Sequence, residues 1–323
     1  MEKKFDVCIL GNAVVDGFVR VDDALLNKYQ LKKADYRHFS HGELMALNED
    51  IMLEHFSAGG SGANVGSSLA QLGLKMAHLG RVGADPAGQH FYEEMEQAGV
   101  YMAKPDATAR TFQIFVLLTP DGERTFVEPD TSAVITSDWL DRDVIKQSKT
   151  LLIEGYPLLD QADVVLEAIN IAKAEGVSIV LMLAPPTVMK KAADVFNQVI
   201  TLGVDLVFSD TEEAEAIVEL LTSEAREKWQ VTPRVQTMSG DGARFIAVGQ
   251  PEVFLGCQKI ETPIDVTGAG EAFAAGFLAG YLRKKEPAVC LSYGHKLGGQ
   301  VIQQMGARLK DLNPEMFNQN KCA

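Results

Sequence analysis

The sequence lacks cysteine pairs, basic segments and long apolar runs. Its four cysteines lie far apart in 323 residues without a CxxC pair, which argues against a zinc site and against a disulfide framework. Lys and Arg number 30 against 44 Asp and Glu, so the formal net charge is −14. Because no basic residues gather into an arm, we expect neither nucleic acid nor an anionic membrane as a partner.

Hydrophobic residues are plentiful but occur in short runs. They make up 46% of the chain, which is ample for a packed core in one large α/β domain or two medium ones. No run is long enough to span a membrane, and the acidic residues and short apolar run at the start make a poor signal peptide. Together with the unpaired cysteines, these features predict a globular, reduced, cytoplasmic protein.

Short strand-like runs alternate with helical segments along most of the chain. Strands are predicted at residues 5–10, 77–82, 151–154, 177–183, 206–209 and 235–238. Helices are predicted at residues 67–72, 88–98, 161–174, 189–202, 211–221, 270–284 and 287–305. This alternation, with a further β pair at 243–263, predicts an α/β fold with a doubly wound, mainly parallel sheet flanked by helices.

Two parts of the chain depart from this rhythm. Residues 22–56 are polar and mostly helical in pattern, and we interpret them as an insertion. Residues 111–119 and 125–129 are rich in β-forming side chains around Pro120-Asp121-Gly122-Glu123, which is a strong signal for a short hairpin. The hairpin interrupts the alternation of strands and helices.

A glycine turn at residues 263–276 leads into a predicted helix. Gly268 and Gly270 allow a tight turn with uncovered N–H groups, and the helix dipole adds positive potential, so the turn suits an anionic group. A transferring γ-phosphoryl group needs such donors, and Glu271 is placed to accept a proton from an attacking hydroxyl. The turn therefore indicates phosphoryl transfer. An ordinary helix start uses the same residue types and stays an alternative, whereas the dinucleotide-binding fingerprint fits poorly without its third glycine.

Polar residues and glycines follow several of the predicted strands. They are Asp16, the glycine loop at 59–66, Asp210 with Glu213, Thr237 and the turn at 268–271. In an open parallel sheet, ligands bind outside the carboxyl ends of the strands. We therefore expect these residues to share one cleft.

Motifs along nearly the whole chain resemble the ribokinase, or PfkB, family of carbohydrate and nucleoside kinases. The matching motifs are Gly11-Asn-Ala-Val-Val-Asp16, Gly59-Gly60 with Asn64, Gly80-Arg-Val-Gly83, Asp265-Val-Thr-Gly-Ala-Gly270 and Gly306-Ala-Arg308. The resemblance implies a ribokinase-like fold with a small β lid, and transfer of the ATP γ-phosphate to a hydroxymethyl group with Mg²⁺. It assigns residues 14–40 and 108–130 to the lid, and residues 1–13, 41–107 and 131–323 to the α/β core.

Within the family, three features are similar to the adenosine-kinase-like branch. They are the insertion at 22–56, Glu154-Gly-Tyr156 and Ala184-Pro-Pro186. Ribokinases usually have Asn and Lys where this chain has Val14 and Ser61. A nucleoside or another sugar is therefore favoured over ribose. The resemblance leaves the oligomeric state open between a monomer and a homodimer formed through the lid.

The resemblance also assigns residues to the substrate. Asp16 and Asn64 are similar to the residues that hydrogen-bond substrate hydroxyls, and Gly59 and Gly60 let the substrate lie against bare backbone. Two structural alternatives stay open from the residues alone. Asp16 also suits a turn, and Asn64 also suits a helix cap.

On the nucleotide side, single residues depart from the motifs of the family. Ser209-Asp-Thr-Glu-Glu213 corresponds to an Asn-x-x-Glu motif, which assigns Asp210 to the cofactor and Glu213 to Mg²⁺ through water. Thr237 and Gly242 match a nucleotide loop in which Ser239 replaces a glycine. Asp265 and Thr267 resemble the pair that in many relatives helps to hold a monovalent cation such as K⁺. Without the resemblance, the glutamates at 212, 213 and 215 are typical of a solvated helix face.

The family's anion hole corresponds to Gly268, Ala269 and Gly270, and its general base is an aspartate where this chain has Glu271. The extra methylene moves the carboxylate by roughly an ångström, which can cost on the order of 100-fold in rate if nothing compensates. The departures at 210, 239 and 271 all fall on the phosphate side.

Two hypotheses follow: an active ATP-dependent kinase with a drifted site, or a slow or inactive relative that acts by binding. The retained substrate and glycine motifs favour the kinase over that relative, and also over a plain nucleotide-binding protein.

Overall fold

A computed structural model describes residues 3–129, 134–309 and 311–317. Its strands, in chain order, are β1 (Phe5–Leu10), β2 (Val14–Arg20), β3 (Tyr36–Phe39), β4 (His55–Gly59), β5 (Met76–His78), β6 (Val100–Met102), β7 (Phe112–Leu118), β8 (Arg124–Pro129), β9 (Ser148–Glu154), β10 (Ser178–Met182), β11 (Leu206–Ser209), β12 (Arg234–Thr237), β13 (Ala243–Ile246) and β14 (Val253–Leu255).

Helices lie between most of these strands. In chain order they are α1 (Asp23–Lys28), α2 (His41–Asp50), α3 (Ser61–Gln71), α4 (Pro86–Gln97), α5 (Arg142–Lys146), α6 (Ala162–Ala174), α7 (Pro186–Lys191), α8 (Ala193–Leu202), α9 (Thr211–Leu220), α10 (Ser223–Val231), α11 (Ala269–Tyr281) and α12 (Pro287–Val301). No helix in the described ranges has the length and apolarity that a membrane crossing requires.

The main sheet confirms the predicted doubly wound architecture. It has nine strands in the order β14-β13-β12-β11-β10-β9-β1-β5-β6, and only β13 and β14 run antiparallel to their neighbours. Along β1, Val7 and Ile9 join one apolar cluster with α3 and α11, while Cys8 and Leu10 join another with α6 and α8. Because successive side chains of a strand point to opposite faces, this alternation shows that helices cover both faces of the sheet.

A second, five-stranded sheet has the order β3-β8-β7-β2-β4. The predicted hairpin is confirmed: β7 and β8 pair antiparallel, and the turn between them includes Gly122 at φ +88°. This sheet has a separate small apolar core, in which Phe39, Leu47 and Val127 are each 0% exposed. It is the structural counterpart of the expected lid, although its action as a lid stays a prediction.

The boundaries of this second sheet differ from those we expected. Within residues 41–59, which we assigned to the core, β4 is a strand of the second sheet and α2 packs Leu47 into the apolar cluster of that sheet. The mostly helical pattern expected for 22–56 holds for α1 and α2 but is wrong for β3, since Tyr36–Phe39 pairs in parallel with β8. Tyr36 pairs with Phe126, which is 90 positions later in the chain, so the local pattern does not reveal this strand.

The candidate site residues lie at the carboxyl ends of the parallel strands. β1, β9, β11 and β12 end at Leu10, Glu154, Ser209 and Thr237, which brings these residues to one edge of the main sheet. At the same edge the chain passes into β2 and returns from β4 into α3. The second sheet is therefore joined to the core next to the predicted cleft.

Candidate active site

The turn before α11 has the backbone geometry expected of an anion-binding turn. Gly268 caps the helix in the left-handed region (φ +81°, ψ 3°), and a Cβ there would lie 2.6 Å from the Cα of Ala307. A Cβ on Gly270 would meet nothing within 4 Å. Because the first N–H groups of a helix have no intrahelical acceptor, the amides of Gly270 and Glu271 are available to a ligand.

Glu271 lies where two helices begin. Its Oε1 accepts a hydrogen bond from the Oγ of Ser61 at 2.9 Å, so the first turns of α3 and α11 meet at this carboxylate. Gly60 caps α3 at φ +91°, and a Cβ there would overlap the carbonyl oxygen of Asn12. The hydroxyl fixes one carboxylate oxygen of Glu271 and leaves the other to accept a proton. Sequence reasoning used Ser61 only to distinguish branches of the family and missed this contact.

Glu154 is a second carboxylate at the site, and it was not predicted to belong there. It is 2% exposed and accepts hydrogen bonds from the backbone amides of Asn12, at 3.0 Å, and of Gly62. Burial raises its pKa to about 7 against the opposing effect of those two donors, and the charge of Glu271 adds to the rise. Burial also raises the pKa of Tyr156, with contributions from Glu271, Glu154 and Glu213. These acidic groups therefore lie close enough to influence one another.

Asp210 and Glu213 form a capping box at the start of α9. Asp210 Oδ1 accepts from the amide of Glu213 at 2.7 Å, and Glu213 Oε2 accepts from the amide of Asp210 at 3.0 Å. Aspartate and asparagine cap helices equally well, so the departure at 210 preserves the local fold. Burial raises the pKa of Glu213 to about 7, and the charges of Asp210 and Glu271 act in the same direction. The expected solvated face describes the exposed Glu212 and Glu215, but not Glu213.

The loop after β12 keeps the backbone path of a glycine loop. Ser239 has φ +48°, a left-handed conformation that glycine adopts at less cost. Gly242 has φ +127°, and a Cβ there would overlap the carbonyl oxygen of Leu255. The hydroxyl of Thr237 lies 3.5 Å from the carbonyl oxygen of Ser209, which ties the ends of β11 and β12 together. The replacement at 239 is therefore accommodated with strain, and the assignment of Thr237 and Gly242 to the nucleotide stays a prediction.

Asp265 is occupied by hydrogen bonds within its own loop and with the C-terminal segment. Its Oδ1 accepts from the hydroxyl of Thr267 at 2.6 Å, and its Oδ2 accepts from the amide of Gly306 at 3.0 Å. Within the described ranges, no group of three or more His, Cys, Asp or Glu residues is arranged to hold a metal ion. A K⁺ site at Asp265 and Thr267 stays a prediction.

The predicted substrate residues lie where β2 and β4 meet α3. A Cβ on Gly59 would lie 3.4 Å from Asp16 Oδ2, so the two positions are adjacent. Burial raises the pKa of Asp16 to about 6 against the opposing charge of Arg308. Asn64 is 6% exposed and lies within α3, whereas Gly60 occupies the cap position. The alternative of a helix cap is therefore wrong for Asn64.

Arg308 contacts this group and was not predicted as a site residue. Its Nε donates to Asn64 Oδ1 at 2.9 Å, and its Nη1 donates to Glu94 Oε2 at 3.1 Å. The motif Gly306-Ala-Arg308 marked the residue in the sequence, but nothing in the sequence connected it with Asn64. The arrangement as a whole combines acceptors for hydroxyl groups with a carboxylate beside bare amides.

Comparison with known proteins identifies similar chains over nearly the whole length. Residues 23–314 match the pfkB family carbohydrate kinase description. The chain is 24% identical over 329 residues to ribokinase of Staphylococcus aureus (strain COL), covering 94% of this chain and 95% of that protein. It is 24% identical over 336 residues to adenosine kinase of Saccharomyces cerevisiae (strain ATCC 204508 / S288c), covering 92% and 95%.

Solved structures give the same result for the fold. Adenosine kinase from Sinorhizobium meliloti superimposes with a TM-score of 0.78 at 30% identity, covering 95% of this chain and 96% of that chain. A probable sugar kinase protein from Rhizobium etli CFN 42 superimposes with a TM-score of 0.78 at 28% identity, covering 95% of each chain.

Proposed function

The chain belongs to the pfkB family of carbohydrate kinases, and from this premise we propose that it transfers the γ-phosphate of ATP to a hydroxymethyl group of a nucleoside such as adenosine. The family establishes a phosphotransferase with an alcohol group as acceptor. Adenosine is favoured over ribose because Val14 and Ser61 stand where ribokinases usually have Asn and Lys. The 30% identity to an adenosine kinase structure supports the same choice.

The observation that carries the proposal is the carboxylate of Glu271 beside the bare amides of α11. In the proposed mechanism, the free amides of Gly270 and Glu271 stabilise charge on the transferring phosphoryl group, and the carboxylate of Glu271 accepts the proton of the attacking hydroxyl. Ser61 holds one oxygen of that carboxylate at 2.9 Å. This anchor is the compensation that a glutamate at an aspartate position needs, because it limits where the longer side chain can place its free oxygen.

The remaining residues hold the two substrates. Asp16 and Asn64 bind hydroxyls of the acceptor, while Thr237, Gly242 and Asp210 line the nucleotide side. Glu213 suits Mg²⁺ held through water, since a partly buried carboxylate whose pKa is raised to about 7 is stabilised in its charged form by a nearby cation. The metal ion, when bound, supplies charge neutralisation between the phosphates.

The test compares two substitutions of Glu271 in an ADP-release assay with ATP, Mg²⁺ and adenosine, ribose or fructose. We expect Glu271→Ala to lower kcat by roughly 10²–10⁴ while the Kd for adenosine changes little, because a general base acts on the chemical step. Glu212→Ala is the matched control, since Glu212 is also a glutamate in the first turn of a helix but its side chain is exposed. Unchanged turnover in Glu271→Ala would show that Glu271 is not the base.

Glu271→Asp decides between the two hypotheses about drift. A loss of rate would mean that Ser61 and its surroundings are adapted to glutamate, and a large gain would mean that the native site is impaired. If the wild-type protein binds adenosine, as measured by a ligand-induced rise in the unfolding midpoint, but releases no ADP with any acceptor, the chain is a binding relative without turnover.

A further inference from the structure

Arg308 is a buried arginine whose side chain contacts the residues assigned to the acceptor, Asn64 and Gly59. Its side chain is 14% exposed and pairs with Glu94 at 3.1 Å. The guanidinium lies 5.7 Å from the centre of the Phe91 ring, and its Nη2 lies 3.5 Å from the carbonyl oxygen of Gly59. Burial lowers the pKa of Arg308 to about 10 while Glu94 and Asp16 oppose the change, so the group is charged at neutral pH.

The contact with Arg308 fixes the orientation of the Asn64 amide. A guanidinium has only donors, so the atom of Asn64 that lies 2.9 Å from Nε must be the carbonyl oxygen. The NH₂ end of the amide then points away from Arg308, and no residue in the described ranges accepts a hydrogen bond from it. Without Arg308, either end of the amide could turn toward a ligand.

Asp16 is the second group that depends on Arg308. No described residue donates a hydrogen bond to its carboxylate, and Arg308 supplies the charge that opposes the effect of burial. The other titratable groups around the guanidinium are Glu94 and His78. His78 stays neutral because burial, with a contribution from Arg308, lowers its pKa to about 3. Arg308 is therefore the cation that favours an ionised Asp16.

The segment that carries Arg308 is fixed against the phosphate side. The amide of Gly306 donates to Asp265 at 3.0 Å, and Ala307 lies against Gly268, where a Cβ would come within 2.6 Å of its Cα. Three consecutive residues thus contact the loop at 265, the turn at 268 and the acceptor residues. This anchoring sets the position of the guanidinium relative to both substrates.

We propose that Arg308 is a positioning residue that presents Asn64 as a fixed donor beside the charged acceptor Asp16, and thereby selects acceptors that carry a pair of ring hydroxyls over deoxy analogues. The proposal rests on the proposed function, because it assumes that Asp16 and Asn64 face the acceptor. It adds a residue and a selectivity that the assignment of Asp16 and Asn64 alone does not contain.

The first test measures selectivity by isothermal titration calorimetry with adenosine and 2′,3′-dideoxyadenosine. We expect Arg308→Met to weaken adenosine binding by roughly 10- to 100-fold while binding of the dideoxy analogue changes less than about 3-fold, because only the hydroxyls use the fixed pair. Arg308→Lys keeps the charge but not the planar donors, so it should lose part of the selectivity. Equal losses for both ligands would overturn the proposal.

Arg283→Met is the matched control. Arg283 is a second arginine that contacts α3, but at the other end of the helix: it donates to the carbonyl oxygens of Leu72, the C-cap of α3, and of Ala279 in α11, both at 2.7 Å. Its removal should lower the unfolding midpoint without changing the ratio of the two affinities. If Arg308→Met does not fold, Arg308→Lys carries the comparison.

The second test needs no ligand. The ¹³C-detected titration of the Asp16 carboxylate should move to higher pH in Arg308→Met and stay near its wild-type position in Arg308→Lys. An unmoved titration in Arg308→Met would overturn the proposal whatever the enzyme's activity. A wild-type protein that neither binds nor phosphorylates adenosine would instead contradict the proposed nucleoside acceptor, and the titration would still decide the role of Arg308.

Discussion

The fold disfavours the ionised form of the Glu213 side chain. Burial raises its pKa to about 7 from the usual 4.5, and the nearby charges of Asp210 and Glu271 add to the rise. Between these two values the folded state binds more protons than the unfolded state. The contribution of Glu213 to stability is therefore largest on the acid side and is lost as the pH rises through about 7.

Glu213→Gln should raise the free energy of unfolding at pH 8 by roughly 1–2 kcal/mol and leave it nearly unchanged at pH 5. The glutamine oxygen still accepts from the amide of Asp210, so the capping box is kept and only the charge is removed. Activity should fall and need more Mg²⁺ at the same time, because the cation loses an ionised partner. Chemical denaturation at the two pH values and a Mg²⁺ titration of the rate measure these effects.

Glu212→Gln is the control, since Glu212 is exposed on the same turn of α9. It should change neither the pH dependence of unfolding nor the Mg²⁺ requirement. A loss of stability at pH 8 in Glu213→Gln would contradict the claim that the fold disfavours the charged form of Glu213. An unchanged Mg²⁺ requirement would show that Glu213 does not help to bind the metal ion.

Single residues also show where sequence reasoning stopped. Asp16, Asn64 and Glu271 were recognisable because each lies in a motif of neighbouring residues. Ser61 contacts a residue 210 positions away, and Arg308 contacts one 244 positions away. Glu154 stands at the end of an apolar strand in the sequence. Its role, however, depends on the backbone amides of Asn12, just after β1, and of Gly62, in α3, which the fold brings to it. Such contacts follow from chain topology and not from local spacing.

At the scale of elements, the two glycines of the turn before α11 have different roles. Gly268 needs glycine for its conformation, at φ +81°, and for its contact with Ala307. Gly270 has open space where a Cβ would be. The first glycine therefore shapes the turn, and the second leaves its surface bare.

Gly268→Ala and Gly270→Ala should separate stability from catalysis. Gly268→Ala should destabilise the protein by on the order of 2–4 kcal/mol, because an alanine at positive φ is strained and its methyl group meets the backbone of Ala307. Gly270→Ala should leave the unfolding midpoint nearly unchanged but lower kcat, since a methyl group then covers amides that the phosphoryl group needs. Thermal unfolding and steady-state kinetics on both variants test this.

The two variants control each other because they lie in one turn two residues apart. If Gly270→Ala retains full kcat, the amides of this turn do not hold the transferring group. If Gly268→Ala is as stable as the wild type, the turn adapts to a side chain and its geometry is not determined by glycine.

The sequence predicted well those helices and strands whose formation depends on the residues within the element itself. The strands of the main sheet are apolar runs buried on both faces, and the hairpin has its own turn residues. The sequence did not predict α5, α10, β3, β4 or β6. β6 has three residues and β3 is largely polar, so each forms through pairing with a neighbouring strand and not through its own preference. The predicted helix at 189–202 is divided into α7 and α8 at Ala192, which leaves helical geometry at φ −108° and ψ 22°.

At the scale of the whole molecule, two sheets with separate apolar cores meet at the site. The sequence predicted both sheets and the edge of the main sheet at which the candidate site residues come together. It did not predict that residues 41–59 belong with the second sheet, because this depends on the pairing of β4 with β2 and on the apolar cluster that Leu47 of α2 shares with Phe39 and Val127. The observed boundary matters for function, since β4 then passes directly into α3, which carries Ser61 and Asn64.

A second sheet that closes on the acceptor should change its hydrogen exchange when both substrates bind. With adenosine and a non-hydrolysable ATP analogue at about 100 times their Kd, we expect exchange in β2, β4 and the first turn of α11 to slow by up to roughly 100-fold, because opening then requires release of ligand. The main-sheet strands β10 and β11 should change least, since they are buried with or without ligand. Asp16→Asn is the control: it should lose the effect in β2 and β4, while the nucleotide still protects α11. Protection limited to α11 in the wild-type protein would mean that the second sheet is a fixed wall of the site and not a lid.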